Sequence, residues 1–213
     1  MDTERLKTWE ILFQRALVLM DDARSSGIPV EEWTFGGGTV LMRRHRHRFS
    51  RDVDIFINDP QFIGYLTPRL SATAESLTTD YVEDRDFVKL VFPEGEIDFV
   101  ASAPLTEEPA VTEQLFGRPI LVEKSSEIVA KKIWHRGAQF TARDIFDFAM
   151  VSEMEPDSLK AIEPVLRDRR DVVLSRIEKH WATLYESFQS LQALDYRRTF
   201  EECVAIVRSS LMA

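Results

Sequence analysis

One cysteine, Cys203, stands among 213 residues, so the chain can form no internal disulfide, and a reducing, cytoplasmic setting is the expectation. Glycine and proline are scarce, at 8 and 9 residues, which excludes collagen-like repeats and long flexible linkers. No stretch approaches the roughly 18 apolar residues of a membrane span. The start, MDTERLKTWE, lacks the basic and apolar segments of a signal peptide. Excess positive charge is missing too: a formal net charge of −9 argues against a surface built to coat nucleic acid. What is there is a globular composition, 44% hydrophobic and 30% charged, enough to bury a core.

The patterning predicts an α/β half followed by a helical half, with expected domains at 1–124 and 125–213. Leu6, Trp9, Leu12, Phe13, Ala16, Leu17 and Met20 have helical spacing, predicting an amphipathic helix over 3–24 that Gly27 closes. A short helix is expected over 38–45, a strand over 51–58, and a helix broken at Gly64 and Pro68 after it. Alternating residues over 80–104, with PEGE as a turn, predict consecutive strands, and RPILVEK adds another. Helices are expected at 126–136, 141–153, 157–167, 169–190 and 195–211. The tail beyond 155 carries no chemical motif; Trp181, Leu184, Tyr185, Phe188 and Leu191 make an apolar stripe that suits packing.

The stretch SRDVDIFI places two carboxylates at the head of an apolar strand. Strand alternation puts Asp52 and Asp54 on one face and Val53, Ile55 and Ile57 on the other. Paired carboxylates resist burial unless hydrated, paired with cations or given a metal, and hard ions such as Mg²⁺ prefer oxygen ligands. A third acid is expected from GEIDFVAS, where Ile97 and Phe99 bracket Asp98 as Val53 and Ile55 bracket Asp54. The plain alternative is a pair of solvated acidic residues, Glu96 and Asp98, on a half-exposed strand. Upstream, Gly36, Gly37 and Gly38 permit close approach of the backbone to a ligand, and a helix beginning there would aim N–H groups at a phosphate, with the Thr39 hydroxyl beside them. The GK[ST] ending of a P-loop is absent. Between lies RRHRHRFSR, with Arg43, Arg44, Arg46, Arg48 and Arg51 among His45 and His47. It reads either as a solvated loop or as a cationic segment for a phosphate-rich substrate, and Arg48 is the candidate contact.

The segment FGGGTVLMRRHRHRFSRDVDIFI resembles the signature of the DNA-polymerase-β-type nucleotidyltransferase superfamily: a glycine turn, a short helix, then D-x-D on a strand. More narrowly, the sequence resembles the AbiEii/AbiGii toxin family, nucleotidyltransferases of the toxin–antitoxin type. Gly37, Gly38 and Thr39 match its GGT element; Arg48 and Ser50 match its R-x-S; Asp52 and Asp54 match the metal-binding pair. Downstream, Ala130 and Lys132, then Arg143, Asp144 and Asp147, match a lysine helix followed by R-D-x-x-D. Without that match, Glu127–Lys131 and Arg143–Asp147 would read as surface i,i+4 pairs.

The resemblance implies a nucleotidyltransferase-fold mixed sheet with flanking helices, α+β in class. It implies Asp52, Asp54 and Asp98 as ligands of Mg²⁺ or Mn²⁺, and Gly37, Gly38, Thr39, Arg48 and Ser50 as nucleotide-binding residues. Lys132 would contact the phosphates of an NTP, with Lys131 its competitor for that role, and Asp144 would belong to the active site. An NMP would pass to an acceptor hydroxyl, with RNA, particularly a tRNA end, as the acceptor and an antitoxin as partner. The alternatives are a small-molecule nucleotidyltransferase of the antibiotic-modifying kind and a non-catalytic nucleotide-sensing protein.

Overall fold

A computed structural model of the chain describes residues 5–30 and 32–212. Thr3 and Glu4 of the expected first helix lie outside the described residues. The backbone divides into two compact units. The first comprises Met1–Val40, Ser50–Pro104 and Ala110–Glu123; the second comprises Leu41–Phe49, Leu105–Pro109 and Lys124–Ala213.

The first unit is built on a seven-stranded mixed sheet. Its strands are β1 (Trp33–Gly36), β2 (Val53–Ile57), β3 (Tyr81–Asp84), β4 (Phe87–Phe92), β5 (Gly95–Ala101), β6 (Ala110–Leu115) and β7 (Arg118–Glu123), in the order β3-β4-β5-β2-β1-β7-β6. The β2–β5 and β1–β7 pairs are parallel; the others are antiparallel. Helix α1 (Thr8–Ser25) buries Leu12, Phe13, Ala16 and Met20. Its Phe13 ring lies 4.5 Å from Phe35 of β1, and Trp9 stacks on the same ring at 5.8 Å. Two bidentate pairs reinforce it: Arg15 donates to Glu94 and Arg118 to Asp21. Helix α2 (Gly37–His45) follows β1 directly. The region expected as one broken helix is a 3₁₀ segment, Pro60–Leu66, followed by α3 (Ala72–Leu77). Pro68 separates the two.

The second unit is helical: α4 (Ser125–Arg136), α5 (Ala142–Met154), α6 (Glu163–Lys179), α7 (Trp181–Gln189) and α8 (Phe200–Met212). Helix α5 is its centre, with Ile145, Phe146, Phe148, Ala149, Met150 and Val151 all buried. The expected 169–190 helix is two helices, broken at His180. Residues 157–162 lie in a 3₁₀ segment, and 191–199 are not helical. That last stretch is held extended because Gln192 and Leu194 hydrogen-bond the backbone of Phe49 and His47. Phe200 gathers the rings of Trp181, Tyr185 and Phe188; of the apolar stripe of α7, Leu184 and Phe188 are buried, while Trp181 and Tyr185 stay exposed at its edge. Among the described residues no helix is long and apolar enough to cross a membrane.

Candidate active site

The register of β2 and β5 sets Asp54 directly across from Asp98. Buried Val53, Ile55, Ile97 and Phe99 take the opposite face of the two strands. Burial, together with the Asp54 charge, pushes the Asp98 carboxyl up to about 7. Strand β4 brings a counter-charge. Lys89 is the cross-strand partner of Asp98. Its ammonium ion-pairs with Glu96 and lies 3.2 Å from Asp98 Oδ2. Asp52, just ahead of β2, accepts the Glu96 backbone N–H on its Oδ1 at 3.2 Å.

Two crowded carboxylates with only hard oxygen donors fit a divalent cation such as Mg²⁺ or Mn²⁺. They fit it as a pair. Among the described residues no group of three His, Cys, Asp or Glu side chains is arranged to hold a metal ion.

The glycine turn is shaped by carboxylates. β1 ends at Gly36, whose register partner is Asp54. A Cβ on Gly37 would land on the Asp54 carboxylate, and the Gly37 φ of +74° is left-handed as well. A Cβ on Gly36 would meet Glu123 and the Phe56 ring. Glu123 is buried, and its Oε1 accepts the Thr34 hydroxyl at 2.8 Å. Within the first turn of α2, Thr39 donates its hydroxyl to the Asp52 carbonyl at 2.5 Å and lies 3.1 Å from the Ser50 hydroxyl. This ties the start of α2 to the segment leading into β2. The first N–H groups of α2, from Gly37, Gly38 and Thr39, have no partners within the helix, which is the arrangement that receives anions.

In the second unit the R-D-x-x-D motif forms a buried ionic network. Asp147 Oδ1 accepts Arg48 Nε at 2.6 Å and Oδ2 accepts Arg48 Nη2 at 2.7 Å. Lys132 Nζ lies 3.0 Å from Asp147 Oδ2 and donates to Asp144 Oδ1 at 2.6 Å. The other Asp144 oxygen accepts the Thr141 N–H and hydroxyl, a capping box that starts α5. Burial opposes the charge on both acids, but cations outweigh it. Arg48 and Lys132 hold the Asp147 carboxyl well below its ordinary range. Lys132 and Arg136 lower that of Asp144. Burial pushes the His47 imidazole down, and the neutral ring donates Nε2–H to Asp147 Oδ1 at 2.8 Å, since the carboxylate can only accept.

The expected site residues therefore fall into two groups. Asp54, Asp98, Gly37, Gly38, Thr39, Ser50 and Asp52 belong to the first unit. Arg48, Lys132 and Asp144 belong to the second, where Arg48 is only 3% exposed with its guanidinium committed to Asp147. The H-x-H pair is split between partners: His45 Nε2 faces Glu155 at 2.7 Å and His47 faces Asp147. Lys131 pairs with Glu127 at 3.7 Å, so Lys132 is the lysine of the network. Lys89 and Glu123 were not singled out by their surroundings in sequence. Alternation places Lys89 off the buried Val88–Leu90 face, and pairing through the PEGE turn sets it against Asp98. Glu123, a charge ending an apolar strand, was the other signal.

The family model described as "Nucleotidyl transferase AbiEii toxin, Type IV TA system" matches residues 19–209. No curated protein matches the chain. Among solved structures, a putative nucleotidyltransferase from H. pylori aligns over 100% of this chain and 95% of its own, with 14% identity and a TM-score of 0.54. The antibiotic-resistance factor ANT(2'')-Ia aligns over 84% and 100%, with 14% identity and a TM-score of 0.52. The nucleotidyltransferase toxin MenT4 from Mycobacterium tuberculosis H37Rv aligns over 97% and 84%, with 18% identity and a TM-score of 0.51. At these identities the likeness is one of fold.

Proposed function

The chain belongs to the AbiEii family of nucleotidyltransferase toxins, and from that premise we propose that it moves an NMP from an NTP to a hydroxyl of RNA in the cytoplasm, under the control of a cognate antitoxin. The observation that carries this reading is the pairing of Asp54 with Asp98 beside the glycine turn. Asp54 and Asp98 would hold Mg²⁺ or Mn²⁺, which supplies charge neutralisation for the triphosphate and acidifies the attacking hydroxyl. Gly37, Gly38 and Thr39 offer backbone N–H groups to phosphate oxygens. Ser50 and Asp52 hold that turn through Thr39. The acceptor oxygen attacks the α-phosphorus in line, the bond to the β-phosphate oxygen breaks, and pyrophosphate leaves. Asp98 would take the hydroxyl proton or serve as a ligand of the cation.

From the family motif, Lys132 meets phosphate oxygens and Asp144 is its positioning residue, holding the ammonium at 2.6 Å. Arg48 acts through Asp147, which it orients, rather than by touching substrate.

The test is incubation of the purified chain with Mg²⁺ and labelled NTPs, in parallel with total RNA and with small hydroxyl compounds. With the label in the α-phosphate, the expected result is label joined to RNA and an equal amount of unlabelled pyrophosphate released. Label only on a small molecule, or none under any condition, overturns the RNA assignment. A companion variant probes the turn. A left-handed alanine costs about 1–2 kcal/mol, and in Gly37→Ala it must also displace the Asp54 carboxylate. Transfer is expected to fall about a hundredfold, the scale of a 1 Å misplacement, while the circular dichroism spectrum stays that of the parent.

A further inference from the structure

The reaction as drawn leaves Lys89 without a part, yet its position is specific. Along β4, β5 and β2 the three side chains on one row are Lys89, Asp98 and Asp54, each the register partner of the next. The row reads cation, anion, anion. The Lys89 ammonium lies 3.2 Å from Asp98 Oδ2 and pairs on its other side with Glu96, two residues before Asp98 on the same strand face. The side chains of Lys89 and Asp98 are 30% and 17% exposed, so water screens this contact only in part.

We propose that Lys89 is the resident counter-ion of the acidic pair: its ammonium neutralises Asp98 when no divalent cation is bound and competes with that cation for Asp98 Oδ2. The inference rests on the reading that Asp54 and Asp98 hold the ion. Two like charges cannot share one carboxylate oxygen without repulsion. Glu96 supplies the alternative anchor, so the lysine keeps an ion pair when Asp98 turns to the metal. The protein thus carries its site in a charge-balanced form, at the expense of cation affinity.

Titration of Mn²⁺ into the full-length protein, with free Mn²⁺ read by electron paramagnetic resonance, tests this without any substrate. The wild type is expected to bind Mn²⁺ at a site that Asp54→Asn removes. Lys89→Met is expected to bind about tenfold more tightly, a 1.4 kcal/mol change, while Lys89→Arg, which keeps the charge, stays near the wild type. Equal or weaker binding by a folded Lys89→Met overturns the proposal. Should neither wild type nor Lys89→Met bind any Mn²⁺ that Asp54→Asn removes, the metal reading itself falls and takes the inference with it. Should Lys89→Met not fold, Glu96→Gln decides the matter: deprived of its second anchor, the ammonium stays on Asp98, and Mn²⁺ binding must weaken; unchanged binding overturns the proposal.

Discussion

Asp147→Ala is expected to destabilise the helical unit by about 3–5 kcal/mol, the range seen when one member of a buried ion pair is deleted. Asp147 is fully buried, and three side chains depend on it: Arg48 by two hydrogen bonds, Lys132 at 3.0 Å and His47 at 2.8 Å. Alanine removes the carboxylate that takes two of the hydrogen bonds of the buried Arg48 guanidinium. Urea unfolding followed by the helical circular dichroism signal measures the loss; an unchanged midpoint would show that the network contributes nothing. The same group sets a pH dependence. A carboxyl held below its ordinary value contributes stability that is complete above the unfolded pKa, about 4, and is lost as pH falls through the folded value. His47 adds an earlier decline with the same sign. Its pKa is depressed by burial, so the unfolded chain gains the proton first once pH drops below about 6.5. The wild type should therefore lose stability towards acid in two stages. Asp147→Asn should show a smaller later stage, the share of Asp144 remaining.

Asp54→Ala is expected to abolish transfer, with a fall in kcat of the order of 10³-fold or more, because the cation's transition-state stabilisation is worth several kcal/mol. Its effect on folding should be small by comparison. Asp54 is half-buried, and Asp98, pushed up to about 7 partly by the Asp54 charge, is relieved when that charge goes. Loss of pyrophosphate release with an unchanged unfolding midpoint is the pattern to look for. Activity within tenfold of the wild type would remove Asp54 from the chemistry. The contrast with Asp147→Ala is instructive: both delete a motif aspartate, one costing rate and the other costing the fold.

Much of this site was legible because strands repeat every two residues. Once Val53 and Ile55 are assigned to the interior, Asp54 must face the other way, and Asp98 follows by the same logic between Ile97 and Phe99. The register that sets 54 against 98 was not legible, since parallel pairing joins segments 44 residues apart through contacts that no local pattern encodes. Strand β6 escaped notice because its exposed, mixed residues AVTEQL alternate with no buried face. The break at His180 carries no glycine or proline to announce it. Arg48 read as the candidate phosphate contact of a basic run. Its commitment to Asp147 could not be read because the two positions are 99 residues apart. The glycine triplet was legible as a turn but for a partial reason. A phosphate cradle asks for close backbone approach, whereas Gly36 and Gly37 are also required because Glu123 and Asp54 fill the space a Cβ would need.

The reach of the Arg48–Asp147 pair bears on how the protein is made. A ribosome adding about 5–20 residues per second makes Arg48 about 5–20 s before the aspartate that neutralises it, 99 residues later. A nascent chain that stops short of α5 lacks the carboxylate that takes two of the hydrogen bonds of Arg48, and such products are expected to be cleared by proteases. A product that ends before Asp147 therefore lacks the one side chain on which Arg48, Lys132 and His47 converge.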